Sequence, residues 1–378
     1  MKLSKIMTIP LLLIMVFTLA ACGGGASSSD NNTNNTDNAN NNMNNTPSTS
    51  TGDNGEIESI TLKFASIVPN THDLYTYGAK VFIEKVDELS GGKIKIDHFP
   101  DGQLGKPADM INLANTGVAE LVEVAPSYIP GKLVLGNAFQ LPGALPDPEI
   151  GSKVIWDVIK SENSVIRQSD FANNGLVPLY ATTLPLYQIV TNENKPIDSL
   201  DDLKGLKLRS AGGVQDLIVE ALGAVPVAMD RTEVYQALQR GTLDGGVFNL
   251  PSLKANQTID VLKYTTTNAN LTSFVCALAI SESVWNNLSD NVKNILLQAG
   301  EAAAQSLAES VMKSDQNALQ ELINDYSYSA WTLTPEEVEQ MKEMVMPVWD
   351  SWVADVEKLG FDGKAAIEEM NAALKNYQ

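Results

Sequence analysis

Residues 289–326 read SDNVKNILLQAGEAAAQSLAESVMKSDQNALQELINDY, and this stretch bears most directly on the fold. It has no proline, its one glycine is Gly300, and Ser289 is a suitable N-cap. Apolar residues recur along it at helical spacing. An unbroken helix of this length would measure about 57 Å, which is longer than a single lobe is wide. The stretch predicts a spine shared by two lobes, and the alternative is two ordinary helices that break near Gly300 or Asp315.

Short strands and helices alternate on the N-terminal side of this stretch. Residues 61–65 and 119–124 are apolar runs typical of strands, and residues 73–89 have the spacing of an amphipathic helix. Such alternation predicts a mostly parallel α/β sheet. A helix, a glycine and a strand follow one another in MINLANTGVAELVEV (110–124) and again in VYQALQRGTLDGGVF (234–248). This weak internal similarity favours two lobes of similar build.

The folded part is expected to span residues 57–378, which contain both histidines and all five tryptophans. That length exceeds what one hydrophobic core usually covers, so we expect a two-lobed α/β fold. The predicted lobe bounds can be given from the pattern of elements. Lobe I comprises about residues 57–182 plus 270–315, and lobe II about residues 183–269 plus 316–378.

The N-terminus carries the features of an exported lipoprotein. Residues 1–21 combine the basic residues Lys2 and Lys5 with a short apolar run, as in a signal peptide. The run closes with LAAC (19–22), which resembles the bacterial lipobox and implies cleavage before Cys22 and lipid attachment to it. The alternative is an ordinary signal peptide that happens to contain a cysteine. Residues 22–56 are rich in Asn, Ser, Thr and Gly and predict a disordered tether. We therefore expect the protein outside the cytoplasm, anchored by lipid to the outer face of the cell membrane or, in a Gram-negative cell, in the periplasm.

Composition narrows the function classes. The net charge of −20 opposes binding to nucleic acid or anionic lipid. With Cys22 lipidated, Cys276 has no disulfide partner and is expected to be a small buried hydrophobe. The sequence contains no HExxH, paired CxxC, GxSxG, Walker or GxGxxG motif. We therefore predict no catalytic residue, no metal site and no cofactor, and we expect a binding protein rather than an enzyme.

Arg209 is the strongest candidate for ligand contact. It ends the predicted strand LKGLKLR (203–209) and precedes the glycine-rich turn SAGG (210–213), after which a helix begins. A guanidinium, a close backbone approach and a helix N-terminus all suit an anion. The alternative is a surface arginine paired with a neighbouring carboxylate. His72 is a second candidate, because it lies in a loop between a strand and a helix, at the sheet edge where α/β folds bind ligands.

The chain resembles the solute-binding component of TRAP transporters, the tripartite ATP-independent carriers of organic acids. The resemblance rests on FPDGQLG (99–105), LDDLKGLKLR (200–209), EVYQALQ (233–239) and LDG (243–245), in this order and spacing. It implies a periplasmic-binding-protein-like (Venus flytrap) fold with a long helix spanning both lobes. It also implies that Arg209 pairs with the carboxylate of a small organic acid. The implied partners are the small and large membrane permease subunits, and we expect a monomer.

Two departures from the family pattern bear on the ligand. Tyr187 and Gln188 lie where many relatives carry a second basic residue, and the register leaves open whether Phe248 or Asn249 contacts the ligand. With one strong cation and aromatic neighbours, we expect a monocarboxylate with an apolar body rather than a sugar acid or a dicarboxylate. Three other functions stay open at this point: the binding lipoprotein of an ATP-driven importer, a ligand-sensing co-receptor and a secreted hydrolase.

Overall fold

Two β-sheets organise residues 57–377, the part of the chain that the computed structural model describes. The predicted signal peptide, Cys22 and the tether lie outside these residues. The first sheet, ordered β2–β1–β3–β10–β4, contains β1 (Ile60–Ala65), β2 (Ile94–Phe99), β3 (Leu121–Val124), β4 (Leu176–Thr183) and β10 (Val275–Ser281). The second sheet, ordered β11–β9–β5–β8–β6–β7, contains β5 (Gln188–Thr191), β6 (Lys207–Ser210), β7 (Val225–Ala228), β8 (Gly245–Phe248), β9 (Tyr264–Thr266) and β11 (Ser329–Trp331).

Helices cover both sheets. Five of them precede or follow strands of the first sheet: α1 (Lys80–Ser90), which continues a π-helical turn, α2 (Met110–Asn115), α3 (Pro148–Lys160), α4 (Val165–Asp170) and α8 (Glu282–Asn287). Three belong with the second sheet: α5 (Val214–Ala221), α6 (Arg231–Gln239) and α7 (Ser252–Ala255). The C-terminal part contains α9 (Asp290–Asn324), α10 (Pro335–Val345), α11 (Val348–Lys358) and α12 (Gly363–Leu374).

Both sheets are mostly parallel, as predicted, and each contains one antiparallel strand. β1 runs parallel to β2 and β3, and β6 runs parallel to β7 and β8. β10 is antiparallel to both of its neighbours, and so is β5. Each of these two strands follows a crossing of the chain from one sheet to the other. Each begins at the end of the sheet where the parallel strands finish, with Val275 opposite Thr183 and Gln188 opposite Phe248, and therefore runs against them.

α9 confirms the prediction of one long helix that spans both lobes. Its 35 residues begin after Ser289, whose hydroxyl accepts a hydrogen bond from Val292 N, and correspond to about 52 Å. The N-terminal half packs against α1, α3 and β4, whereas Leu322 near its end is buried in the core of the second lobe. Within residues 57–377 neither α9 nor another helix has the length and apolarity needed to cross a membrane.

Gly300 does not break α9, contrary to the alternative considered above. A Cβ atom at this position would lie 2.0 Å from the carbonyl oxygen of Leu179 on β4. The glycine therefore permits the helix to lie directly against a strand of the first sheet. A residue that weakens helices by propensity is retained here because of this close approach.

Two extended segments connect the lobes beside one another. One joins β4 to β5 and the other joins β9 to β10. They are hydrogen-bonded to each other, from Leu184 N to Phe274 O at 3.0 Å and from Tyr187 N to Thr272 O at 2.8 Å. Together with α9 they form the connections across which the lobes can move relative to each other.

The predicted lobe bounds stay a proposal, with one adjustment suggested by packing. α12 was assigned to lobe II, but it packs against α3 and against the short helical segment Leu135–Gln140 beside the first sheet. Its Ala366 and Met370 are fully buried. We therefore propose to assign residues 363–377 to the first lobe.

Candidate ligand-binding cleft

Arg209 lies at the carboxyl end of β6 and is only 3 % exposed. Its Nε and Nη2 atoms donate to the carbonyl oxygen of Met229 at 3.3 and 3.1 Å. Nη2 also donates to the hydroxyl of Tyr128, in the opposite lobe, at 3.1 Å. The ion pairs formed within residues 57–377 do not include Arg209. Among the described residues this buried guanidinium therefore has neutral hydrogen-bond partners and no ion-pair partner.

A glycine on the neighbouring strand determines how closely the groups around Arg209 approach. Gly246 of β8 pairs with Arg209 in register. A Cβ atom at Gly246 would lie 2.5 Å from the ring of Phe248 and 2.9 Å from Cβ of Arg209. The ring of Phe248 can consequently lie against the strand, with its centroid 5.6 Å from the guanidinium carbon, a cation–π distance.

A cavity between the lobes collects most of the predicted site residues. Its volume is about 30 Å³, against the roughly 10–15 Å³ that one ordered water molecule needs. In this closed arrangement an organic acid cannot be accommodated unless the lobes separate or side chains move. The lining residues are Ile67, Val68, His72, Leu74, Tyr128, Leu184, Tyr187, Arg209, Arg231, Phe248, Asn249, Ser252, Asn256 and Phe274.

A second and larger groove of about 520 Å³ lies beside α9 and is chemically different. Among its lining residues the single cation is Lys254, which is already paired with Glu321. Asp73 adds a further acid. By volume, the groove beside α9 is the better candidate for a ligand site. The unpaired guanidinium and the aromatic rings of the smaller cavity suit an anionic ligand better, and for an anion we give the chemistry of the lining more weight than the volume.

The structure brings together five of the six predicted ligand contacts and separates the sixth. Arg209, Asn249, Phe248, Tyr187 and His72 all line the cavity, so the choice between Phe248 and Asn249 disappears.

Gln188 does not line the cavity. Its Oε1 accepts from Thr266 Oγ1 and Ala269 N, and its Nε2 donates to Asn270 Oδ1 at 2.8 Å. Its amide is thus used to hold the segment that leads from β9 to β10.

The SAGG turn (210–213), which was predicted to help bind the anion, does not face the cavity through its glycines. Gly212 lies against the carbonyl of Ser127, and Gly213 lies against the side chain of Asn137. Neither glycine lines the cavity. The turn instead brings the two lobes into contact, and Arg209 contributes to the cavity without the N-terminus of α5.

His72 is connected to Asn249 by a chain of hydrogen bonds through Ser252. Its Nδ1 accepts from Leu74 N at 3.1 Å, which assigns the proton to Nε2, and Nε2 lies 3.0 Å from Ser252 Oγ. The Ser252 hydroxyl in turn donates to Oδ1 of Asn249. Burial, with a smaller contribution from Arg231, lowers the pKa of His72 to about 3. A neutral histidine in the first lobe is thereby connected through Ser252 to Asn249 in the second, whose side chain also interacts with Tyr187.

Tyr187 lies on a segment that connects the lobes, and hydrogen-bond donors surround its hydroxyl. Burial raises the pKa of Tyr187, while Arg209 and the side-chain amides of Asn249 and Gln215 act in the opposite direction. Gln215 is fully buried, and its Nε2 has no partner in hydrogen-bond geometry within the described residues. The sequence analysis missed this residue.

Tyr128, Phe274 and Arg231 are further lining residues that the sequence analysis missed. The rings of Tyr128 and Phe274 meet edge to face with centroids 5.6 Å apart. A signal for Tyr128 existed in the internal similarity noted above. Tyr128 and Ser252 both lie four residues after the strand of their repeated helix–strand unit, β3 and β8 respectively, and both line the cavity.

Glu123 supports the cavity from the core of the first lobe. It is 1 % exposed and accepts hydrogen bonds from Ser66 Oγ at 2.7 Å and from Ile67 N at 2.9 Å. Burial raises its pKa to about 7, against the opposing effect of these bonds. Cys276 on the neighbouring part of the sheet is a buried free thiol, as expected.

Comparison with known proteins identifies the family of the chain. Residues 64–355 match the model of bacterial extracellular solute-binding protein family 7. The C4-dicarboxylate-binding periplasmic protein DctP of Rhodobacter capsulatus is 28 % identical, over 83 % of this chain and 92 % of that protein. The sialic acid-binding periplasmic protein SiaP of Vibrio cholerae is 26 % identical, over 74 % of this chain and 84 % of that protein.

A solved structure extends the comparison to the fold. The TRAP solute-binding protein of Rhodoferax ferrireducens, in complex with copurified benzoate, is 22 % identical. It superimposes with a TM-score of 0.76, over 84 % of this chain and 98 % of that chain. The two-lobed α/β fold and the resemblance to TRAP solute-binding components are both confirmed. The chain belongs to bacterial extracellular solute-binding protein family 7.

Proposed function

We propose that this protein captures a small organic acid outside the cytoplasmic membrane and delivers it to the membrane subunits of a TRAP transporter, with Arg209 holding the ligand carboxylate. The observation that carries the proposal is the buried Arg209 guanidinium without an acidic partner. An ionised group in such a site costs several kcal/mol unless a counter-charge accompanies it. A carboxylate supplies that charge and accepts two parallel hydrogen bonds from the guanidinium.

The ligand that fits best is a monocarboxylate with an apolar, preferably aromatic, body. Support comes from the lining, where four aromatic side chains adjoin Arg209: Tyr128, Tyr187, Phe248 and Phe274. Aromatic rings favour offset or edge-to-face contact with another ring. The relative that holds benzoate agrees with this class, whereas the relatives named for sialic acid and C4-dicarboxylates show that the family accommodates other acids.

A thermal-shift panel tests this proposal. Benzoate, phenylacetate and mandelate should raise the melting temperature, and succinate and glucuronate should do so much less. Ligand at about 100 times its Kd stabilises a protein by roughly 2.7 kcal/mol. Arg209→Ala should abolish the response. Lys207→Ala, which removes an exposed cation from the same strand, should retain it. A panel in which only dicarboxylates or sugar acids stabilise the protein would contradict the proposed ligand class.

We further propose that the protein is a lipoprotein anchored through Cys22, on the support of the LAAC sequence. Two anchoring signals usually make membrane attachment stable, and a lipidated N-terminal cysteine carries more than one chain. Cys22→Ser should move the protein from the membrane fraction to the soluble fraction without changing ligand affinity. Retention of the variant in salt-washed membranes would contradict the anchor.

A further inference from the structure

Arg231 is a second guanidinium in the wall of the cavity. It is the first residue of α6, in the second lobe, and its side chain is 10 % exposed. Nε donates to the carbonyl oxygen of Ile67, in the first lobe, at 2.9 Å. Nη1 lies 3.4 Å from Asn256 Oδ1, and Nη2 forms an ion pair with Asp101 of the first lobe. Unlike Arg209, this cation has an ion-pair partner among the described residues.

The charges that face the cavity can therefore be counted. Its ionisable lining groups are the two arginines, His72 and the two tyrosines, and the lining includes no carboxylate. His72 and the tyrosines are uncharged near neutral pH because burial disfavours their charged forms.

Asp101, outside the lining, offsets Arg231. Asp230, also outside the lining, accepts a hydrogen bond from Thr232 N. Arg209 is the lining cation that has no ion-pair partner within residues 57–377 and can take a ligand carboxylate.

We propose that Asp101 determines the specificity of the cleft by neutralising Arg231, so that the site accepts ligands with one carboxylate and discriminates against those with two. This inference rests on the proposed function, because it assumes that Arg209 holds the first carboxylate. Asp101 would act through Arg231 and would not contact the ligand.

The backbone around Asp101 keeps its carboxylate in place. Asp101 N donates to Val68 O, and Gly102 N donates to Ser66 O, both at 2.9 Å. These bonds fasten the turn that carries Asp101 to the loop that supplies Ile67 and Val68 to the cavity. A second carboxylate on the ligand would have to compete for Arg231 with an acid that the fold already holds beside it. Placing two like charges together costs several kcal/mol.

A second pair of opposite charges between the lobes provides a matched control. Lys106 of the first lobe lies 3.3 Å from Glu233 of α6, and both side chains are largely exposed. Neither residue lines the cavity. Loss of Glu233 therefore removes one interlobe ion pair, as loss of Asp101 does, without releasing a cation into the site.

The test measures Kd by calorimetry for benzoate and for its dicarboxylate analogues phthalate, isophthalate and terephthalate, which place the second carboxylate at three positions. The proteins are the wild type, Asp101→Asn, Glu233→Gln and the double variant Asp101→Asn/Arg231→Gln. Asp101→Asn should improve binding of at least one dicarboxylate relative to benzoate by about tenfold or more. Glu233→Gln should leave this ratio unchanged, and the double variant should lose the gain.

The outcomes distinguish a change in ligand specificity from a general loss of affinity caused by weaker closure of the two lobes. Weaker closure alone lowers the affinity for all four ligands together and leaves their ratios at wild-type values. Ratios within about threefold of wild type in a folded Asp101→Asn protein would overturn the inference. So would a gain that persists in the double variant. Benzoate binding by the wild type, and its loss in Arg209→Ala, test the proposed function independently of these ratios.

Discussion

Arg209 and Arg231 line the same cavity and are both largely buried, but their partners differ. Arg209 donates to a carbonyl and a phenol, whereas Arg231 forms an ion pair with Asp101 and donates to the carbonyl of Ile67. Both arginines therefore link the two lobes. Of the two, only Arg209 has no ion-pair partner in the described part of the chain, and burial lowers the pKa of Arg231 to about 10. The two arginines are therefore distinguished by the presence or absence of an ion-pair partner, and not by burial or position in the cleft. Arg209, without such a partner, is proposed to hold the ligand, whereas Arg231 joins the two lobes.

The largest expected effect separates the two arginines directly. Arg209→Ala should weaken binding of a monocarboxylate by about two to four orders of magnitude, because removing one partner of a buried charge pair costs about 3–5 kcal/mol. Arg209→Lys should recover only part of the loss, since an ammonium lacks the planar fork. Calorimetric Kd values measure both. Binding by a normally melting Arg209→Ala protein within about threefold of wild type would show that the carboxylate is held elsewhere.

The second prediction concerns Glu123, which holds the loop whose Ile67 carbonyl meets Arg231. Burial raises the pKa of this acid from 4.5 to about 7, so the folded state binds a proton that the unfolded state has lost between these values. The contribution of Glu123 to the free energy of unfolding should therefore fall as the pH rises from about 4.5 to about 7, by up to about 3 kcal/mol. Chemical denaturation across this range measures the decline.

His72 and His98, whose pKa values burial lowers, oppose this decline, and both remain in Glu123→Gln. The variant should lack the Glu123 contribution, so the free energy of unfolding of the wild type should fall relative to that of the variant across this range. Asp170, whose pKa burial also raises to about 7, contributes in the same direction as Glu123 and remains in the variant. An unchanged pH dependence in Glu123→Gln would mean that Glu123 is ionised in the folded protein.

The third prediction addresses the closing role of Arg231. Arg231→Ala removes the ion pair to Asp101 and the bond to Ile67, and should weaken monocarboxylate binding by about tenfold, less than Arg209→Ala does. In small-angle scattering the ligand-free variant should have a larger radius of gyration than the wild type, and saturating ligand should reduce it. Equal losses in Arg209→Ala and Arg231→Ala would remove the distinction between the two cations.

The smallest effect on ligand affinity is expected from removing the Tyr128 hydroxyl, which accepts a hydrogen bond from Nη2 of Arg209. Tyr128→Phe keeps the ring against Phe274 and removes one hydrogen bond, which contributes about 1 kcal/mol. Monocarboxylate affinity should fall by about fivefold. No change would indicate that the bond between Tyr128 and Arg209 breaks when ligand enters.

Local patterns were sufficient to predict α9 and the position of Arg209 at a strand end, and tertiary contacts explain what they missed. The helical spacing of residues 289–326 and the position of Arg209 at a strand end are properties of short segments. Arg231 depends on closure, since its partner Asp101 lies on the other lobe. Gln188 was predicted to contact ligand because it lies where many relatives carry a second basic residue, but its amide is hydrogen-bonded to the segment between β9 and β10. Position in the sequence does not indicate which distant group satisfies an amide.

The unbroken course of α9 has a mechanical consequence. Because the helix is packed into the cores of both lobes, the lobes cannot rotate apart without bending it or sliding one core along it. Long helices can bend gently, so the free energy needed to bend α9 contributes to the free energy of opening the lobes. Gly300, which permits α9 to lie directly against β4, marks the point where the helix is held to the first lobe. The bending stiffness of α9 therefore affects ligand affinity, although many of its residues lie tens of ångströms apart along the helix and do not contact the ligand.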